Sequence, residues 1–239
     1  MRAAALREGD QTLETALAIL TAILVDRHAL DSKLTAYLRL LAAWPGLASR
    51  PDRALVEDSL VLLPHLDGVG SLIDVGSGGG MPGLPLALAR PDLAVTLLEA
   101  EHNKTAFLIH CVATLEVVNV RVVSQRAETA AHTSLRESFD VATCRALAAL
   151  PVLAELCLPF VSVGGRLLAL KSGPEPDGGA VGLLGGGPVT VLPAASAART
   201  GGVILAASKV RPTPDSFPRR PGLPNRRPLH ARGGGEDGA

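Results

Sequence analysis

The stretch Leu72-Ile73-Asp74-Val75-Gly76-Ser77-Gly78-Gly79-Gly80-Met81-Pro82-Gly83 constrains the fold of this chain more than any other. Leu72 to Val75 reads as a buried strand, three apolar side chains with one carboxylate among them. Five glycines fall within the next eight positions, and a helix pattern takes over at Leu84, Leu86, Ala87 and Leu88. Pro85 has no amide hydrogen and so belongs in that helix's first turn, which puts the start near Pro82. A strand, a glycine loop and a helix amino terminus in this order bring bare backbone N–H groups against a nucleotide-like ligand.

Spacing narrows the ligand. A dinucleotide fingerprint opens at the strand end as G-x-G-x-x-G, but the sixth position counted from Gly76 is Met81. The frame that begins at Gly78 fits through Gly80 and Gly83, two residues too late. That frame disfavours a nicotinamide oxidoreductase. The strand instead runs directly into Asp74-x-Gly76-x-Gly78-x-Gly80, the pattern of S-adenosylmethionine-dependent methyltransferases. That cofactor has no pyrophosphate to place on a helix dipole. It needs a flat backbone turn for its methionine moiety and a carboxylate, here Asp74, for its ammonium group. Glu99, about twenty residues beyond the loop at the end of the next predicted strand, is placed to accept hydrogen bonds from ribose hydroxyls.

A chain of 239 residues, 47% of them apolar, can bury a proper core, and one domain with an extension is expected. No run of about eighteen uncharged apolar residues is present, so no membrane span is expected. Met1-Arg2-Ala3 opens onto a charged, helix-prone segment without a signal-peptide pattern, and a cytoplasmic, monomeric protein is expected. The three cysteines (Cys111, Cys144, Cys157) are odd in number and lack metal-ligand spacing, so they read as reduced, mostly buried thiols and no metal is expected. The net charge of zero hides an asymmetry: Lys209 to Arg232 holds seven basic residues against Asp215 alone, while the first 208 residues carry 16 basic and 20 acidic side chains. Such a segment is either an electrostatic footprint for phosphate or a solvated terminus.

Along the chain, amphipathic spacing predicts helices over 11–25, Leu34–Ala43 and about Ala54–Leu63, a helical cap spanning 1–66 in which His28 and His65 are surface or capping residues. From 67 to 210 short apolar runs alternate with helices: strands at Ala94–Glu99, Val120–Ser124 and Phe139–Cys144, helices over about His102–Leu115 and from near Pro151 to before Pro159. Gly164-Gly165 is expected to turn the chain into a strand at Arg166–Lys171, and Val189–Leu192 with Gly202–Ala207 to supply a last strand pair. Residues 173–188, rich in glycine and proline, read as a mobile loop or frayed helix. This alternation implies an α/β fold with a mostly parallel, doubly wound sheet. Residues 211–239 form a basic Pro/Arg-rich tail, partly disordered over its last seven residues.

Arg126, Arg145 and Lys171 follow or end successive strands, whose carboxyl ends face one crevice in an open parallel sheet. Three cations beside a sulfonium cofactor need another reason to be there, and a phosphate or the O6/N7 edge of guanine supplies one.

The run Asp74 to Ala87 resembles the cofactor motif of the small-subunit ribosomal RNA methyltransferase G family, also called glucose-inhibited division protein B. Arg90-Pro91-Asp92-Leu93, Arg126-Ala127-Glu128, Cys144-Arg145-Ala146, Gly164 to Lys171 and the ending Phe217-Pro218-Arg219-Arg220-Pro221-Gly222 with Arg227-Pro228-Leu229 resemble it too, so the likeness runs from about Leu34 to Leu229. It implies a Rossmann-like class I methyltransferase that moves a methyl group from S-adenosylmethionine to N7 of a guanine in the decoding-region loop of 16S rRNA, with that RNA or the small subunit as partner. Gly76, Met81, Ala127, Glu128 and Arg145 would line the cofactor pocket, Met81 packing on the cofactor and the Ala127-Glu128 backbone meeting adenine. Arg126, Arg145 and Lys171 would lie near the target nucleotide. Guanine N7 carries an in-plane lone pair and no proton, so no general base is required. The chain departs from the family where Val56-Glu57, in place of an Arg-His pair, precedes Asp58-Ser59-Leu60, and where Ser32-Lys33 leads into Leu34-Thr35-Ala36. Those changes face the RNA side and leave open a methyltransferase of this fold with another substrate, or a non-catalytic RNA-binding scaffold.

Overall fold

The computed structural model describes residues 27–47, 51–194, 196 and 201–230. The helix expected at 11–25 and the last seven residues lie outside them. The strands are β1 (Ser71–Val75), β2 (Ala94–Glu99), β3 (Val120–Ser124), β4 (Phe139–Arg145), β5 (Val161–Lys171), β6 (Thr190–Pro193) and β7 (Val203–Ser208). The helices are α1 (27–43), α2 (Arg53–Leu60), α3 (Gly83–Ala89), α4 (His102–Thr114), α5 (Ala127–Ala130), α6 (Leu150–Cys157), α7 (Ala180–Leu183) and α8 (Leu223–Arg226).

One sheet runs in the order β3-β2-β1-β4-β5-β7-β6. The first five strands pair in parallel, and β7 runs antiparallel to both β5 and β6. Strand order reverses between β1 and β4, which opens a crevice at their carboxyl ends. The period of two sorts each strand between two cores. Leu72, Leu97, Val141 and Leu168 face α1, α3 and α4, whereas Ile73, Leu98, Ala142 and Leu167 face α6. Leu34, Tyr37 and Leu41 of the cap belong to the first core, so the cap and this face of the sheet share one apolar cluster. Among the described residues no helix is long and apolar enough to cross a membrane, and all three cysteines are free and buried.

Four expectations are corrected. α2 stops at Leu60 and continues as a 3₁₀ turn over Leu63–His65, because Pro64 cannot donate the next helical hydrogen bond. Gly164 and Gly165 lie inside β5 and make no turn between elements. The register against β4 shifts between Phe139 and Val141, and a Cβ on Gly165 would stand 2.4 Å from the Asp140 carbonyl oxygen, so the pair forms a bulge. Residues 173–188 are packed in part: Ala180, Val181 and Leu184 are buried around the one-turn α7, and Glu175 Oε2 accepts the Leu150 N–H at the start of α6 at 2.9 Å.

The basic tail, lastly, is anchored up to residue 230 and is no free arm. Lys209 is buried, its Nζ donating to the Leu158 carbonyl at 2.7 Å and to the Thr213 hydroxyl. Burial pushes its pKa down to about 8, although Glu137, 3.3 Å away, pulls it up. Arg219 is spent on Glu155, a fully buried carboxylate of α6.

Candidate functional site

β1 ends at Val75, and Gly76 takes φ +72°, a left-handed conformation in which a Cβ would also lie 2.6 Å from Leu147 Cδ1. The loop beyond it is tied on every side. Gly76 and Ser77 donate their N–H groups to the Leu98 carbonyl at 2.8 and 3.1 Å, and Gly78 N–H donates to Glu99 Oε2 at 2.9 Å. From the cap, the Tyr37 hydroxyl donates to the Gly79 carbonyl at 2.6 Å. From beneath, Asp74 Oδ2 accepts the Gly83 N–H at 3.0 Å, clamping the start of α3 to β1.

At the carboxyl edge of the sheet this loop walls a cavity of about 400 Å³, within the range of small-molecule sites. Gly76, Gly78, Glu99, Arg126, Ala127, Glu128 and Arg145, all expected at the site, line it. A smaller chamber of about 150 Å³ adjoins it, sharing Gly76, Gly78 and Arg145 and closed by Leu41, Leu47, Leu55 and Met81. Parallel topology explains the gathering: Glu99 ends β2, Arg126 and Glu128 come after β3, and Arg145 ends β4.

Three expected residues stand elsewhere. Asp74 is fully buried beneath the loop and does not line either cavity. Burial raises its pKa to about 7, against the lowering effect of the Gly83 N–H, and its Oδ1 has no hydrogen bond. Gly80 is packed between Leu84, Leu108 and Tyr37. Lys171 donates to the Ala148 carbonyl and pairs with Glu175 at 2.8 Å, so it braces the segment after β4 and lines neither cavity.

Arg145 sits between the two chambers. Its Nη2 lies 3.4 Å from Met81 Sδ, and its Nη1 lies 3.6 Å from Asp58 Oδ2. Asp58 is buried and also accepts the Ser196 hydroxyl at 2.9 Å. The Asp-Ser-Leu segment of the cap thus orients the arginine, a link no local pattern announces. Lys104, Gln125, Leu147, Leu156 and Asn225 complete the large cavity. Gln125 had a signal, its place directly after β3. Asn225 had none, because it arrives from α8.

The donor set suits a nucleoside-bearing sulfonium compound. Glu99 spends Oε2 on Gly78 and Oε1 on the N–H groups of Ala100 and Glu101, at 2.8 and 2.9 Å. Those bonds keep its carboxylate fixed at the cavity wall, and a carboxylate has about four acceptor positions. The apolar floor of Val75, Leu98 and Leu156 can take a flat ring. Neither cavity is lined by a histidine or cysteine, and among the described residues no cluster of His, Cys, Asp and Glu could hold a metal ion. The arrangement can bind and align two partners, and it offers no nucleophile–base pair.

Residues 31–177 match the family model for rRNA small subunit methyltransferase G, GidB. The ribosomal RNA small subunit methyltransferase G of Moorella thermoacetica is 43% identical over 190 residues, covering 74% of this chain and 78% of that protein. Its counterpart from Lacticaseibacillus paracasei is 42% identical over 187 residues, 72% of this chain and 76% of that one. A crystal structure of a SAM-dependent methyltransferase from Aquifex aeolicus superposes with a TM-score of 0.51 at 17% identity, over 67% of this chain and 94% of that one, a likeness of fold.

Proposed function

This chain belongs to the rRNA small subunit methyltransferase G family, and we propose that it transfers a methyl group from S-adenosylmethionine to N7 of a guanine in the decoding-region loop of 16S rRNA. The observation that carries the reading is the pair of adjoining cavities, one walled by the glycine loop, Glu99 and Ala127-Glu128, the other by the cap, with Arg145 lining both. When bound, S-adenosylmethionine supplies an electrophilic methyl group whose leaving group is a neutral thioether.

The chain's own residues align the reaction. Gly76 and Gly78 let backbone approach the methyl donor closely, Glu99 accepts from its ribose, and the main chain of Ala127 and Glu128 meets its adenine. Arg145, oriented by Asp58 and packed on Met81, holds the incoming guanine or its phosphate beside the donor. Arg126, more than half exposed at the cavity rim, guides the RNA backbone. N7 needs no deprotonation, so catalysis comes from in-line positioning of two reactants and requires no general base. Asp74 and Lys171 act one step back, the first by holding the loop and the second by bracing the segment that carries Leu147.

The test is transfer of labelled methyl from S-adenosylmethionine to purified small-subunit RNA, with mass mapping of the modified nucleotides. Label at a single guanine as 7-methylguanosine is the expected result. Label on another molecule establishes a different substrate, and RNA binding without transfer makes the chain a scaffold.

A further inference from the structure

We propose that Asn225 is a methyl-donor-binding residue that reads the adenine edge, presented to the cavity by a clasp in the C-terminal segment; the proposal rests on the methyl-transfer reading above. Asn225 lines the large cavity although it lies on α8, remote in sequence from the glycine loop. Its position is set from both sides. Upstream, Arg219 donates its main-chain N–H and Nε to Glu155 Oε1, each at 2.8 Å, and Nη2 to Glu155 Oε2 at 2.6 Å. Downstream, the same Nη2 reaches the Arg227 carbonyl at 2.7 Å. Between them, Gly222 N–H donates to Glu128 Oε1 at 2.9 Å.

The division of labour around Glu128 identifies the ligand. Its carboxylate is buried, with Oε1 accepting from the tail at Gly222 and Oε2 lying 3.9 Å from Arg126 Nε, so at this end of the cavity Glu128 offers its main chain to the purine. Asn225, by contrast, lines the same cavity at its solvent-exposed side, and its carboxamide makes no hydrogen bond among the described residues. A carboxamide offers one donor and one acceptor side by side. That pair is complementary to an adenine edge, where the N6 amine stands beside a ring-nitrogen acceptor. The walls that receive the donor also hold the clasp: α5 supplies Glu128 to both, and on α6 Leu156 lines the cavity beside Glu155. Donor binding and tail docking are therefore coupled, each favouring the other.

Calorimetry with S-adenosylhomocysteine and with S-inosylhomocysteine, in which oxygen replaces the N6 amine, tests the assignment on the full chain. The wild type should prefer the adenosyl compound. Asn225→Ala should bind it about tenfold more weakly, the loss of two neutral hydrogen bonds, and should narrow the preference over the inosyl compound, with an unchanged thermal midpoint. Arg226→Ala, next to it but outside the cavity lining, should match the wild type. If the wild type binds S-adenosylhomocysteine and Asn225→Ala equals it in affinity and preference, the assignment of Asn225 falls and the methyl-transfer reading stands. If the wild type binds none, both fall.

Discussion

Replacing Arg219 by alanine asks whether the basic tail is a clamp or a phosphate-binding arm. The Glu155 carboxylate is wholly inaccessible, and Arg219 side-chain nitrogens meet it at 2.8 and 2.6 Å. Among the described residues, Arg219→Ala leaves that charge buried with only the main-chain N–H of residue 219 as partner. Removing one member of a buried pair costs about 3–5 kcal/mol, and because the Arg219 side chain is 22% exposed the lower end applies, about 3 kcal/mol. For a domain of this size each kcal/mol moves the midpoint by about 2–4 °C, so a fall of about 6–12 °C is expected. Urea denaturation and calorimetric melting of Arg219→Ala, Arg220→Ala, Arg219→Met, Glu155→Met and the double variant Arg219→Met/Glu155→Met decide it. Arg220→Ala should stay within about 0.5 kcal/mol of the wild type. The double variant should lose less than the sum of its two single changes, because no charge is left buried alone. An Arg219→Ala protein as stable as the wild type would refute the clamp.

Gly76→Ala combines a φ of +72° with a Cβ 2.6 Å from Leu147; it should cost about 1–2 kcal/mol and weaken S-adenosylhomocysteine binding measurably by calorimetry, and unaltered binding would contradict the loop's role. Asp74 has a native pKa of about 7 against 3.8 when unfolded. The native state thus keeps a proton that the unfolded chain has lost, and stability is expected to decline as pH rises from about 4 to 7, then level off. Asp74→Asn should flatten that decline in urea titrations, and parallel curves for the two proteins would count against it. Arg126 and Arg220 are solvent-facing, so their joint replacement should lower the slope of log affinity for small-subunit RNA against log salt by about 1.4–1.8, read by filter binding across salt. An unchanged slope would place the phosphate contacts elsewhere.

Much of this fold is written in local pattern. Short apolar runs define β2 and β3 to the residue, and the glycines after Val75 mark the loop, because strand burial and left-handed turns depend on neighbours a few positions away. Once a parallel sheet is inferred, topology brings Glu99, Arg126 and Arg145 to one crevice, and that too can be read in advance, whereas Glu128 is expected there only from the family resemblance. What the tertiary structure alone decides is which charges are consumed internally. Arg219 and Arg220 are adjacent and chemically identical in the sequence, yet one is fastened to Glu155 and the other faces water. Lys171 is claimed by Ala148 and Glu175, and Arg145 is oriented by an aspartate of the cap. Asp74 lies under the glycine loop, and Asn225 reaches the cavity from the far end of the chain. A charged or polar side chain takes its role from its partner and from its distance to water, and both are set by contacts between segments that no local spacing relates.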